Sequence, residues 1–376
     1  MEHYLDNSAT TAVCPEAVEA AVQAMTEVYG NPSSTHTKGR EAKKLLDACR
    51  KQVADALGCT AAELVFTSCG SESDNWAILY GAELMKRKGN HIISSAVEHD
   101  AVRKALDILE SRGFKVTRLM PDSTGAIGVE SVVDALTPDT ILISLMLVNN
   151  ETGAVTDIAA ISKAVKKAGS QALIHTDAVQ AFTKLPFSAK TLGADMISIS
   201  GHKIHAPKGI GALYIRSGVK LKPFISGGSQ ENGRRAGTEA MPQIAAFAAA
   251  CKAAISHRDE SIAHMRALKE MTVNTLAKAI PELQMVESAA PHILSISLPG
   301  WRSEVLMNYL EARGVYVSKS SACKKGARSH VLEAIGLSPR VVDGAIRIGF
   351  SRYNTPEDVK ALCSGLIDAC SSLSHR

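Results

Sequence analysis

Between about residues 61 and 214, short apolar runs alternate with amphipathic stretches. The runs at 64–67, 91–94, 141–145, 172–175 and 196–199 have the length and apolar content of buried strands. The segments 73–88, 100–111 and 158–168 read as helices, and in the last of them Ile158, Ile161 and Val165 fall on one face. Strands alternating with helices predict βαβ units and a mainly parallel sheet covered on both sides, hence an α/β fold. On such sheets ligands collect at the carboxyl ends of the strands.

Polar residues gather where those ends should lie. Ser68 to Ser73 follow the first strand, and Glu98, His99 and Asp100 the second. Asn149, Asn150 and Glu151 follow the third, Asp177 to Gln180 the fourth, and His202 and Lys203 the fifth. The second half of the chain has a different rhythm. A long amphipathic helix is expected at 260–279, then strands at 293–298, 315–318 and 345–350 with a helix at 304–313. This pattern predicts a smaller α+β domain from about residue 256. The alanine-rich run 244–255, broken by Lys252, reads as a buried helix rather than a membrane span.

With 376 residues, the chain can bury a large core and form two domains. A net charge of +4 is too small to argue for a nucleic-acid or membrane partner. The start, Met1 to Asp6, lacks the basic residues and apolar run of a signal peptide. Eight cysteines are scattered with no CxxC pair and no zinc-finger spacing, so no metal centre is expected and a reducing cytoplasm is the expected setting.

Lys203 stands directly after an apolar strand. Taken alone it reads as a surface lysine, since a buried ammonium is costly. Among converging polar groups it reads as an amine whose pKa can fall, the requirement for a Schiff-base nucleophile. Asp177 can hold a pyridinium nitrogen, or simply cap the next helix. Gln180 can donate to a ring oxygen. The turn at 68–73 suits an anion at a helix start or a plain N-cap, and it does not match the nucleotide-binding GxxxxGK[ST] loop. His99 can stack on a flat ring and move protons, or serve structure alone. Residues 320–326 form a small, basic segment around Cys323, whose neighbouring lysines favour thiolate. Its composition suggests a mobile loop.

In order along the chain, Tyr4 to Thr11, Gly30 to Ser34 with His36, Phe66 to Ser68, Glu98-His99, Val148 to Glu151, Asp177 to Gln180, Ser200 to Lys203, Pro207 to Gly209 and Ser320 to Cys323 resemble cysteine desulfurases of the NifS/IscS type. The likeness runs from about residue 4 to 360. It implies a pyridoxal 5'-phosphate enzyme of fold type I, with a seven-stranded sheet, acting as a homodimer. It implies a large domain at 15–255 and a small one built from 1–14 and 256–376. By the same resemblance, Lys203 is the Schiff-base lysine, Asp177 and Gln180 hold the ring, and His99 stacks on it. Gly70, Ser71, Ser200 and His202 bind phosphate, and Thr238 reaches the phosphate of the neighbouring subunit. Asn31, Asn150 and Arg347 hold L-cysteine, with Arg347 on its carboxylate, and Cys323 accepts the sulfur for delivery to an iron–sulfur scaffold or a tRNA thiolation enzyme. No direct nucleic-acid contact is implied. Cys69 and Ser71 stand where the family often has glycine and threonine. The implied competitors are a selenocysteine lyase, another aminotransferase-like enzyme, a non-catalytic scaffold of the same fold and a nucleotide-binding α/β enzyme.

Overall fold

The computed structural model describes residues 2–286, 288–319 and 328–373. The segment around Cys323 lies outside the described residues. The large sheet has seven strands, ordered Leu64–Thr67, Gly211–Ile215, Met196–Ser200, Leu173–Asp177, Thr140–Ser144, His91–Ser95 and Lys115–Leu119. Within it only Gly211–Ile215 runs against its neighbours. Successive residues of a strand point to opposite faces. Ile143, Ile174 and Ile197 therefore enter one core with Phe182 and Phe247, while Leu142, Leu173 and Met196 enter another with Trp76. Both faces are covered by helices, which is why the strands read as continuous apolar runs.

Two strands of this sheet carry no clear signal in the sequence. Lys115–Leu119 is a half-exposed edge carrying two positive residues, Lys115 and Arg118, and Gly211–Ile215 sits beyond the helical rhythm as an antiparallel insertion. The first long helix after the sheet begins, Gly70–Met85, starts three positions earlier than its periodicity suggests. Its N-cap is Cys69 and not a serine, and no side chain caps it.

The C-terminal half folds on a four-stranded antiparallel sheet, Ser318–Lys319, Ala345–Gly349, Ile293–Ser297 and Gln284–Val286. The expected strand at 315–318 is divided. Val315–Tyr316 pairs in parallel with His3–Tyr4, and Ser318–Lys319 pairs with Ala345–Gly349. Leu5 is buried in a third core, that of the small sheet, beside Ile346, Ile348 and Phe350. Asn7 fixes the crossing that follows, donating from Nδ2 to the Gly349 carbonyl at 2.9 Å and to Asn354 Oδ1 at 3.0 Å. Thr11 then bonds the His202 carbonyl at 3.0 Å, so residues 7–11 bridge the small sheet and the end of Met196–Ser200. Among the described residues no helix is long and apolar enough to cross a membrane.

Candidate active site

A cavity of about 450 Å³ opens at the carboxyl ends of the parallel strands. This is where a doubly wound sheet places ligands. Gly70, Ser71, His99, Asn150, Asp177 and Gln180 line it, as do Ser200, His202, Lys203 and Arg347. Asn31 and Thr238 are both exposed and lie outside this lining. Cys323 lies outside the described residues.

Each wall follows from the local fold. Ser200 and Lys203 leave the same strand, and a short 3-10 turn, Gly201–Lys203, turns the lysine inward. Its Nζ donates to the carbonyls of Ser8 and Ala9, each at 2.6 Å. Asp177 ends its strand and accepts from the Val179 N–H at 2.9 Å, but it caps a turn and not a helix, since the next helix, Ala189–Leu192, is capped by Ser188. Gln180 donates from Nε2 to the Ser8 carbonyl at 2.9 Å, which engages one of the two amide hydrogens expected to meet a ring oxygen. His99 is the N-cap of Asp100–Ser111, with Nδ1 accepting from the Ala101 N–H at 3.1 Å. That bond places the proton of the neutral ring on Nε2.

At one end of the cavity, Gly70 and Ser71 present the first turn of a 16-residue helix. Free N–H groups and the helix dipole favour an anion there. Ser200 Oγ is buried beside this turn with no hydrogen-bond partner among the described residues. A buried hydroxyl is rarely left unsatisfied, and a phosphate oxygen would satisfy this one. On the other side Arg347, 2 % exposed, is held by the Asn150 carbonyl and Ser318 Oγ at 2.8 Å and by Asp6 Oδ1 at 3.1 Å. This anchoring fixes a guanidinium fork at the wall, as carboxylate recognition requires.

Between these ends the floor is acidic and dry. Burial pushes the Asp177 carboxyl up, and His99, the Val179 N–H and Lys203 pull it back. Burial, then the charge of Asp177, hold Asp74 well above the usual carboxylate range. Two such carboxyls do not both ionise cheaply. His175 stands 3.5 Å from Asp74, but burial pushes the imidazole down to about 3, so this is a neutral contact and not an ion pair. The ring bonds Ser144 Oγ at 2.8 Å and Ser198 Oγ at 3.0 Å beneath the sheet's end. Glu98 is pushed up to about 8 and Glu151 to about 7, both chiefly by burial. His202 is pushed down to about 4 by burial and by Lys203.

Sequence reasoning misses Ser8, Ala9 and Asp74. Ser8 and Ala9 act through backbone carbonyls from a distant part of the chain, which leaves no side-chain signal. Asp74 does carry one, since it falls one helical turn after Gly70 and Ser71 and so shares their face.

Comparison with known proteins agrees with this geometry. The aminotransferase class-V family model matches residues 3–362. A cysteine desulfurase of Nostoc sp. is 42% identical over 361 residues, covering 95% of this chain and 90% of the relative. The cysteine desulfurase IscS of Methanosarcina thermophila is 42% identical, covering 95% of this chain and 89% of its own. Among solved structures, a NifS-like protein superposes with a TM-score of 0.94 at 38% identity, covering 99% of this chain and all of the other. SspA in complex with cysteine gives a TM-score of 0.81 at 33% identity, over 94% of this chain and 100% of that one. These enzymes depend on pyridoxal 5'-phosphate. The chain belongs to the class-V aminotransferase family, among its cysteine desulfurases.

Proposed function

We propose that the protein removes sulfur from L-cysteine, with Lys203, Asp177 and Arg347 as the residues that make its cavity a desulfurase site. The single observation that carries these roles is the convergence of a half-buried lysine, a buried aspartate and a helix N-terminus on one cavity of about 450 Å³. The donors fit the cofactor. Gly70, Ser71, Ser200 and His202 would take its phosphate, Asp177 its ring nitrogen, Gln180 its ring oxygen, and His99 its face. Pyridoxal 5'-phosphate supplies an electron sink at the substrate's α-carbon when it is bound.

The remaining work belongs to the chain. Arg347, with Asn150 and Asn31, orients the substrate through its carboxylate. Lys203 Nζ takes the α-proton. His99 Nε2 handles the proton of the substrate thiol. The Cys323 thiolate takes the sulfur, so that L-cysteine and a cysteine thiol become L-alanine and a cysteine persulfide, with no outside oxidant. A reducing cytoplasm suits a thiolate nucleophile.

The reading extends to the assembly. The chain acts as a homodimer, with Thr238 of one subunit serving the phosphate of the other. That role is consistent with the position of Thr238 outside its own cavity. Residues 15–255 form the large domain, and 1–14 with 256–376 the small one. The separate core around Leu5, Ile346 and Phe350 supports this division. The persulfide passes to an acceptor protein, either an iron–sulfur scaffold or a tRNA thiolation enzyme.

Borohydride reduction of the cofactor-loaded protein followed by peptide mapping tests the centre of this reading. The pyridoxyl label is expected on Lys203 alone. Cys323→Ser is expected to bind cofactor normally and form no persulfide, and full-rate sulfide release by that variant would overturn the nucleophile assignment. Selenocysteine turnover exceeding cysteine turnover would favour a lyase instead.

A further inference from the structure

Behind Lys203 lies a second lysine, this one buried, that the reaction above does not use. Lys184 is buried, and its Nζ has no hydrogen-bond partner among the described residues. It follows Thr183, a β-branched residue held in the left-handed region at φ 63°. That conformation is uncommon for such a residue and signals that the turn is held by its surroundings. Lys184 and Lys203 line one small cavity of about 30 Å³ with Asn7, Thr11, His205 and Arg352. The space admits roughly one or two waters.

The charged groups acting on Lys184 are Lys203 and Arg347, both positive. Burial and these two push its amine down to about 7. The imidazoles nearby offer no negative charge. His202, His205 and His292 are all held low, first by burial, and Lys184 is among the charges that disfavour their protonation. Arg352 adds another positive group at the cavity wall. Across the main cavity, Asp177 favours a charge on Lys203.

We propose that Lys184 is a positioning residue for Lys203: its amine, enclosed beside the cofactor lysine without a counter-ion, makes a second positive charge costly there and so drives Lys203 to give up its proton. The inference rests on Lys203 being the cofactor lysine. A lysine beside another cation in a dry site is an activated amine. The two amines then share one charge. When Lys203 is neutral, Lys184 holds the proton, and when Lys203 takes a proton from substrate, Lys184 is pressed to release its own.

The test uses the cofactor-loaded protein and the pH midpoint of its visible band, which reports the proton at Lys203 Nζ. Lys184→Met keeps the length of the side chain and removes the charge. Its midpoint is expected to rise by about one pH unit, because Asp177 remains and the repulsion is gone. Lys184→Arg keeps the charge at every pH, so its midpoint is expected at or below that of the wild type. Lys184→Gln replaces the methionine variant if the latter does not fold. The acid limb of the kcat profile is expected to move with the midpoint, while KM stays near the wild-type value. Equal midpoints in the wild type and the uncharged variant overturn the proposal. A visible band that never forms, or a borohydride label away from Lys203, overturns instead the reading on which it rests.

Discussion

Lys203 Nζ bonds the backbone carbonyl of Ser8 at 2.6 Å, across 195 positions of sequence. The same carbonyl accepts from Gln180 Nε2 at 2.9 Å. The N-terminal segment is thus part of the site floor, held against the small sheet by Asn7 and against the large sheet by Thr11. The placement of the lysine depends on a crossing that contains no catalytic side chain.

Replacing Asn7 with Ala tests that dependence. The Gly349 carbonyl and Asn354 Oδ1 lose a donor in a buried setting. The expected cost is about 1–3 kcal/mol, read from urea unfolding. The dissociation constant for pyridoxal 5'-phosphate should rise in parallel, since Ser8 and Ala9 are no longer pinned. Lost stability with unchanged cofactor affinity would show that the crossing serves the fold alone.

Asp177→Asn separates charge from geometry. The amide keeps an oxygen to accept from Val179 N–H, so the turn should survive. The negative charge proposed to serve the ring nitrogen is lost. Cofactor binding is expected to persist with an altered visible spectrum, and turnover to fall by about 10²-fold or more. Stopped-flow absorbance and alanine formation measure the two effects separately. Near-normal turnover would remove Asp177 from the mechanism.

Arg50 and Glu231 give a prediction away from the chemistry. They form a buried bidentate pair with both contacts at 2.6 Å, and Glu231 also accepts from the Phe66 N–H at 3.0 Å. The backbone at Glu231 and Asn232 is left-handed, with φ 50° and 56°, so the pair holds a strained turn leading to Thr238. Glu231→Gln leaves the Arg50 charge buried without its counter-charge. A loss of about 3–5 kcal/mol is expected in denaturant unfolding. The double change Arg50→Met with Glu231→Met should recover much of it, and equal loss in the single and double variants would count against a charge effect.

Much of this architecture is legible in the amino-acid sequence. Lys203 and Asp177 stand out because each follows an apolar run that can only be a buried strand. Arg347 is reachable only through resemblance, since its own strand gives no reason to single out one arginine. Lys115–Leu119 escapes notice because an edge strand buries too little to show an apolar run. Lys184 is invisible for a different reason. Nothing in a sequence distinguishes a lysine on the surface from one enclosed without a partner, because the enclosure is made by Asn7, His205 and Arg352 from three distant segments.

Glu98 gives the site a pH signature in stability. Its carboxyl is fully buried and pushed up to about 8, against an ordinary 4.5. Ser95 Oγ and the Met146 N–H both donate to Oε1, while Oε2 has no partner among the described residues. The folded protein therefore keeps a proton that the unfolded chain releases from about pH 4.5 upward. This contribution to stability is fully present below 4.5 and is lost as pH rises to about 8. Each tenfold difference in proton affinity between the folded and unfolded chain is worth about 1.4 kcal/mol, so the loss is on the order of several kcal/mol. Glu98→Gln abolishes the titration while keeping an oxygen for both donors. Wild type and variant should have similar stability at pH 5, and the variant should be the more stable at pH 8.5. Urea unfolding of both proteins at the two pH values measures the difference directly. A stability gap that stays constant between them would mean that Glu98 ionises in the fold as readily as in water, and that the dry floor of the cavity admits solvent.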